Sequence, residues 1–276
     1  MFGLKNYGNT CYLNSILQIF LNNELILNMM NKNKYDSSTL LYLIKRLKYG
    51  EKEKTIYLGR ILKFIHHNSK LYVFESNDAH ELLLIILDVI EKEDPNLYSL
   101  FVGEKKSSIK CKNCSYTNNT VEDFTCLHFY LQKSEELETL IISEFKPEVM
   151  ENCKCEECKN DCLTNTKYIT KFPEILIILN STKVHKIIQE DCYKITDTNG
   201  DKFIYSKFCC INHYGNLIDG HYTFSDETVE INDDEIKEDD NIYKNNYIIV
   251  YCKDNECKEE DIVFSEQFDD KLVMDC

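Results

Sequence analysis

Between Gly3 and Asn9 the chain carries Gly3, Asn6, Gly8 and Asn9, all residues that break regular structure. From Cys11 onward the pattern changes, and Leu13, Ile16, Leu17 and Phe20 recur at helical spacing. This predicts an irregular loop that becomes a helix at Cys11, with Asn9 or Thr10 as its N-cap. A cysteine is thereby set in the first turn of a helix, where unpaired N–H groups and the macrodipole favour thiolate over thiol. Either a site is built around that sulfur, or Cys11 is a small apolar residue that starts a helix. Residues further along decide between the two.

The helical pattern continues through Leu40, Leu43, Ile44 and Leu47, and through Leu58, Ile61, Leu62 and Ile65. A further helix is expected from Ser76 to Ile90, capped by Ser76 or Asn77, with Asp78 complementing its dipole. It is apolar nearly all round, which predicts a central, buried position. From about Ile109 the chain turns to strands. Phe124 to Leu131, Glu174 to Leu179, Lys202 to Asn212, His221 to Ile231 and Tyr247 to Tyr251 read as extended, and Glu135 to Phe145 as a short helix. Helices followed by strands predict an α+β fold, a helical lobe facing a sheet lobe. The acidic tail from Lys253 is left as a helix or a free end.

Composition narrows the function. A net charge of −15 argues against nucleic acid and against an anionic membrane surface. No secretory signal opens the chain, and no apolar run approaches ~18 residues. The expected setting is reducing, cytoplasmic or nuclear, so the 14 cysteines are expected to be free, catalytic or metal-bound.

A reactive cysteine needs a base close in space. Among 7 histidines, His66 and His67 end a surface helix, His80 lies in the long helix, His128 in a strand and His185 after a polar turn. His213 and His221 flank a loop framed by Gly215 and Gly220, which puts His221 at the start of a strand, a rigid place for a base. If that strand turns back antiparallel, Asn232 or Asp233 returns beside His221 to orient it. Asn6, in the loop before the helix, can place an amide N–H next to the Cys11 backbone N–H as an oxyanion donor. Separately, Cys111-x-x-Cys114 and Cys155-x-x-Cys158 have the spacing of a tetrahedral zinc site, with Cys153 and Cys162 as competing ligands.

In this order, these groups resemble the ubiquitin-specific protease family of deubiquitinating cysteine peptidases. Gly3-Leu4-x-Asn6-x-Gly8-Asn9-Thr10-Cys11-Tyr12-Leu13-Asn14-Ser15-x-Leu17-Gln18 is similar to the family's Cys box. Asn77-Asp78-Ala79-His80-Glu81-Leu82 resembles its Gln-Asp-Ala-x-Glu-Phe motif. Gly220-His221-Tyr222-Thr223 resembles its His box, and the likeness covers about residues 3–252. It implies a papain-like cysteine peptidase with a mainly helical thumb over 1–105, zinc-bearing fingers over 106–172 and a β-rich palm over 173–252. It implies Cys11 as nucleophile, His221 as base, Asn232 as the orienting residue and Asn6 as oxyanion donor, with Asp233 as a secondary candidate. Asp78 and Glu81 match positions that line the channel for ubiquitin's C-terminal tail, and two carboxylates suit its arginines. Zinc on Cys111, Cys114, Cys155 and Cys158 is the implied cofactor, structural only. Ubiquitin and ubiquitinated proteins are the implied partners. A peptidase for a ubiquitin-like modifier, or a pseudoenzyme that binds ubiquitin without cutting it, are the alternatives. The family's Leu-Lys-Arg-Phe is replaced here by Leu179-Asn180-Ser181-Thr182.

Overall fold

A computed structural model describes residues 1–50, 53–196, 202–216, 220–238, 245–254 and 263–264. Most of the acidic tail, and the loop residues 217–219 between Gly215 and Gly220, lie outside them. The first part is helical: α1 (Cys11–Asn22), α2 (Glu24–Lys32), α3 (Leu40–Tyr49), α4 (Lys54–Asn68), α5 (Ala79–Glu93) and the short α6 (Pro95–Tyr98). Strands follow, as the order of patterns predicts. They are β1 (Gly103–Cys111), β2 (Thr117–Phe124), β3 (Leu127–Phe129) and β4 (Glu135–Glu136), then α7 (Leu137–Phe145) and β5 (Glu148–Val149). After these come β6 (Leu163–Lys171), β7 (Ile175–Asn180), β8 (Ile187–Ile188), β9 (Cys192–Thr196) and β10 (Lys202–Gly215). The last are β11 (Gly220–Ser225), β12 (Val229–Asn232), β13 (Glu235–Glu238), β14 (Asn246–Asp254) and β15 (Val263–Phe264).

Two main sheets result. The smaller runs β2-β1-β6-β5, and the larger runs β13-β12-β11-β10-β14-β7-β3, with β9 joining β10 to β15. The expected single strand from Phe124 to Leu131 is broken between them. Phe124 pairs with Gly103 in the smaller sheet, whereas Leu127 pairs with Ile178 in the larger. The chain changes sheets at Thr125 and Cys126, so one hydrogen-bond ladder cannot run through. The expected strand from His221 to Ile231 is likewise split into β11 and β12, which pair antiparallel.

The buried central helix is α1 and not α5. Every α1 residue from Cys11 to Leu21 is buried. One flank packs on α3 and α5 and the other on β11 of the larger sheet. With the centre taken, α5 buries one face through Ala79, Leu82, Leu83, Ile86, Leu87 and Ile90 and leaves Leu84 37% exposed. A helix so enclosed must satisfy its own polar side chains. Asn14 Nδ2 donates to Leu4 O at 3.1 Å, and Gln18 Nε2 to Phe2 O at 3.0 Å. Two buried amides on α1 thus hold residues 2–5 against the helix and fix where the following loop can go.

Candidate active site

The loop before α1 turns through Gly8 (φ 93°) and Asn9 (φ 55°), both left-handed. Thr10 is the N-cap residue, but its hydroxyl turns away from the helix, accepting from Tyr7 N at 3.0 Å and meeting Asn6 Oδ1 at 3.1 Å. No side chain caps α1. The Leu13 N–H bonds Thr10 O at 3.1 Å, and the N–H of Cys11, a residue only 7% exposed, meets no side-chain cap. The Asn6 amide is locked: Oδ1 accepts from Gly8 N at 2.9 Å and Thr10 N at 3.1 Å, and Nδ2 donates to Asp233 Oδ2 at 2.9 Å. Nδ2 has a second proton, and Asn6 lines the same cleft as Cys11 and His221.

His221 is the second residue of β11, and the β11–β12 hairpin returns Asn232 beside it. His221 Nε2 lies 2.6 Å from Asn232 Oδ1. Because that oxygen only accepts, the proton sits on Nε2, and Nδ1 is left for Cys11, whose thiol hydrogen-bonds the ring. That bond is the main reason the imidazole is raised to about 9. Burial works against it, while Asn232, the sulfur's charge and Asp233 add to it. Asp233 Oδ2 is 3.9 Å from His221 Nε2, beyond hydrogen-bond reach. Its carboxylate instead joins Asn6 to Asn14, whose Nδ2 reaches Oδ1 at 2.7 Å. Its backbone oxygen accepts from Leu4 N at 2.7 Å. Gly3 is required at this crossing, since a Cβ there would lie 2.5 Å from the Asp234 backbone. The histidine-bearing hairpin and the cysteine-bearing loop are thus clasped through residues 233–234.

The other end of the cleft is formed by α5. Asp78, not Ser76 or Asn77, caps this helix, accepting from His80 N at 2.8 Å and Glu81 N at 3.3 Å. Its oxygens also take the Tyr247 hydroxyl at 2.7 Å and the Lys183 ammonium at 2.5 Å. Burial pushes the Asp78 carboxyl upward, but Lys183 and Tyr247 outweigh it and hold the group below the usual carboxylate range. Lys183 stands in a left-handed conformation (φ 55°), with its ammonium 4.6 Å from the Tyr247 ring centre. Asn180 organises the turn leading to it, accepting from Thr182 Oγ1 at 2.8 Å and donating to His185 O at 2.6 Å. Glu81 is exposed and outside the cleft lining.

The family model described as ubiquitin carboxyl-terminal hydrolase matches residues 2–251. The chain belongs to this family. Ubiquitin carboxyl-terminal hydrolase 7 of Caenorhabditis briggsae is 24% identical over 254 residues, covering 80% of this chain and 22% of the relative. Ubiquitin carboxyl-terminal hydrolase 2 of Homo sapiens is 21% identical over 302 residues, covering 80% and 48%. The chain thus spans half or less of the length of these curated relatives. Among solved structures, a SAGA DUB module with Ubp8 bound to monoubiquitin superposes with a TM-score of 0.80 at 20% identity, over 92% of this chain and 69% of that one. One bound to ubiquitin aldehyde gives 0.79 at 19%, over 92% and 70%.

In this ubiquitin carboxyl-terminal hydrolase fold, the thiols of Cys111, Cys114, Cys155 and Cys158 converge at the end of the smaller sheet, all within 4.8 Å of one another. Cys111 and Cys158 are 3.6 Å apart, as are Cys114 and Cys155. A tetrahedral ion with ~2.3 Å bonds to sulfur holds its sulfurs about 3.8 Å apart, so the donor set fits a metal of zinc's kind. Cys162 Sγ lies 3.1 Å from Cys111 at the rim, and Cys153 is outside the group. One cysteine departs from expectation: Cys192 is disulfide-bonded. Sequence reasoning missed Lys183, Asn14 and Tyr247. Asn14 stood within the Cys-box motif, and its spacing from Cys11 puts it one turn along the same helix face. Nothing local marked Lys183.

Proposed function

We propose that the chain is a thiol-dependent deubiquitinating hydrolase that cleaves the isopeptide or peptide bond after the C-terminal glycine of ubiquitin. The reading rests on one observation, the line in which Cys11, His221 and Asn232 meet from α1, β11 and β12. The names of the relatives, and the ubiquitin bound in the solved neighbours, support ubiquitin as the acyl donor.

His221 Nδ1 takes the Cys11 proton, and Asn232 holds the ring by accepting from Nε2. The thiolate adds to the glycine carbonyl carbon as the carbonyl pair moves onto oxygen. The free Asn6 N–H and the Cys11 backbone N–H donate to that oxyanion. Collapse breaks the C–N bond, and His221 protonates the departing lysine amine. His221 then deprotonates a water, which attacks the thioester, frees the ubiquitin carboxylate and returns the thiol. Asp233 positions Asn6 and adds negative charge near His221. At the far end Asp78 is the carboxylate for a basic tail residue, and Lys183 fills that place until the tail displaces it. Glu81 serves only a ligand lying over the start of α5.

Zinc on Cys111, Cys114, Cys155 and Cys158 is the cofactor of this reading. Held there, it would cross-link the β1–β2 turn to the segment before β6 and supply structure, not chemistry. Among the described residues no helix is long and apolar enough to cross a membrane, and 11 cysteines are outside any disulfide against one, Cys192, that is in one, which supports a cytoplasmic or nuclear place.

Ubiquitin carrying a C-terminal electrophile tests the reading. An adduct is expected on the wild type and none on Cys11→Ala. No wild-type adduct overturns the peptidase assignment, and an adduct on Cys11→Ala means another nucleophile. A ubiquitin-like modifier with the same electrophile, reacting faster than ubiquitin, would change the substrate.

A further inference from the structure

Behind the Asp78 end of the cleft, three soft donors come together from two elements. His80 is the second residue of α5, Cys126 immediately precedes β3, and His128 is the middle residue of β3. Each brings a donor atom to within 4.8 Å of the other two. The His80 and His128 rings stand edge to face, with centroids 4.9 Å apart, and are not stacked. Cys126 and His128 share one face of the strand by its alternation, while Leu127 and Phe129 turn into the core.

What sets this cluster apart is an unpaid hydrogen-bonding capacity. His80 Nε2 is buried and has no hydrogen-bond partner among the described residues. A buried ring nitrogen without a partner costs free energy and calls for an explanation. The Cys126 thiol makes only a long contact, 3.7 Å, to the carbonyl of the next residue. The mechanism uses none of these groups.

We propose that His80, Cys126 and His128 form a second metal site, separate from the four-cysteine cluster, for a borderline transition-metal ion of the Zn2+ class. Two imidazoles and one thiolate suit zinc and exclude calcium and magnesium, which take oxygen ligands. The ion displaces the Cys126 proton on binding and gives His80 Nε2 the partner it lacks. Exposed His128 provides the path of entry and leaves a fourth position for water. Bound there, the metal joins the start of α5 to the edge strand of the larger sheet.

Metal content of the full chain, produced with zinc and dialysed against metal-free buffer, tests the site. His128→Ala is the main variant, because an exposed residue can be removed without disturbing the fold. It is expected to hold one equivalent fewer than the wild type. Cys111→Ser is expected to lose a different equivalent, and the double variant both. Equal zinc in the wild type and His128→Ala overturns the proposal, as does zinc lost from both on dialysis, which would mark an adventitious ion only. After exchange to Co2+, the wild type minus His128→Ala difference spectrum is expected to show thiolate-to-cobalt charge transfer that Cys126→Ser lacks. A difference spectrum without that band removes Cys126 from the site and overturns it.

Discussion

The two ends of the cleft are built in opposite ways. At the Cys11 end, protein groups are held but not used up. α1 carries no side-chain cap, Asn6 keeps one amide proton, and the imidazole is aimed at sulfur by Asn232. At the Asp78 end the carboxylate is fully engaged, taken by Lys183, Tyr247 and two backbone N–H groups of α5. The reacting end is organised before substrate arrives, so little reorganisation is needed when charge develops. The recognition end satisfies itself, so a ligand there must replace an existing cation. Pre-organisation makes the first end sensitive in rate, and self-satisfaction makes the second sensitive in affinity.

The largest effect is expected at the reacting end. His221→Ala removes the proposed base and is expected to lower kcat for the proposed ubiquitin–amide substrate by roughly 10⁴-fold or more with little change in KM. A loss under tenfold would mean that His213, buried nearby, serves as base instead. Next is Asn6→Ala, expected to lower kcat about 10²–10³-fold if its spare proton meets the oxyanion. Equal loss of electrophile labelling and of kcat would show that Asn6 positions Cys11 and does not stabilise the oxyanion.

The contrast also marks what could be read from the sequence. Cys11, Asn6 and the helix start belong to one local run, so their placement follows from helix periodicity and the preceding loop, while their proposed roles came from the family resemblance. Asn232 needed only one further step, that β11 turns back on itself, and it does. Lys183 was not legible. Its contact with Asp78 joins residues 105 apart in sequence, and its left-handed backbone depends on the turn that Asn180 ties together. The cap of α5 was misassigned because Ser76, Asn77 and Asp78 are all good caps, and tertiary partners decide among them. The burial of α5 was overstated for a similar reason. Apolar composition does not say which of two apolar helices takes the centre, and the amides of α1, tied to residues 2–5, gave it that place.

Lys183→Met tests the recognition end and carries a smaller expected effect. Freed of its competing cation, Asp78 is expected to bind a basic tail more tightly, lowering KM by roughly tenfold with kcat unchanged. Asp78→Asn is the opposing control and is expected to raise KM. A rise in KM for Lys183→Met would show that Lys183 itself contacts substrate, for instance through a backbone carbonyl of the tail.

The smallest effect concerns Asp233, the clasp between the histidine hairpin and the cysteine loop. The protonated imidazole, raised to about 9, belongs to a coupled thiol–imidazole pair, so kcat/KM is expected to fall as pH rises through about 9. The same sign holds for stability. The contribution of protonated His221 is full below its unfolded value of ~6.5 and is lost as pH rises through the folded one. Asp233 is a minor part of this rise, 3.9 Å from a ring that is 39% exposed. Asp233→Asn is therefore expected to move the alkaline limb down by only about half to one pH unit. The substitution also turns an acceptor facing Asn6 or Asn14 into a donor, which lowers the plateau by disturbing the clasp. The two effects separate on one pH profile, since charge moves the limb and position changes the plateau. A plateau that drops while the limb stays at about 9 would leave Asp233 as a clasp alone, with His221 held by Cys11 and Asn232.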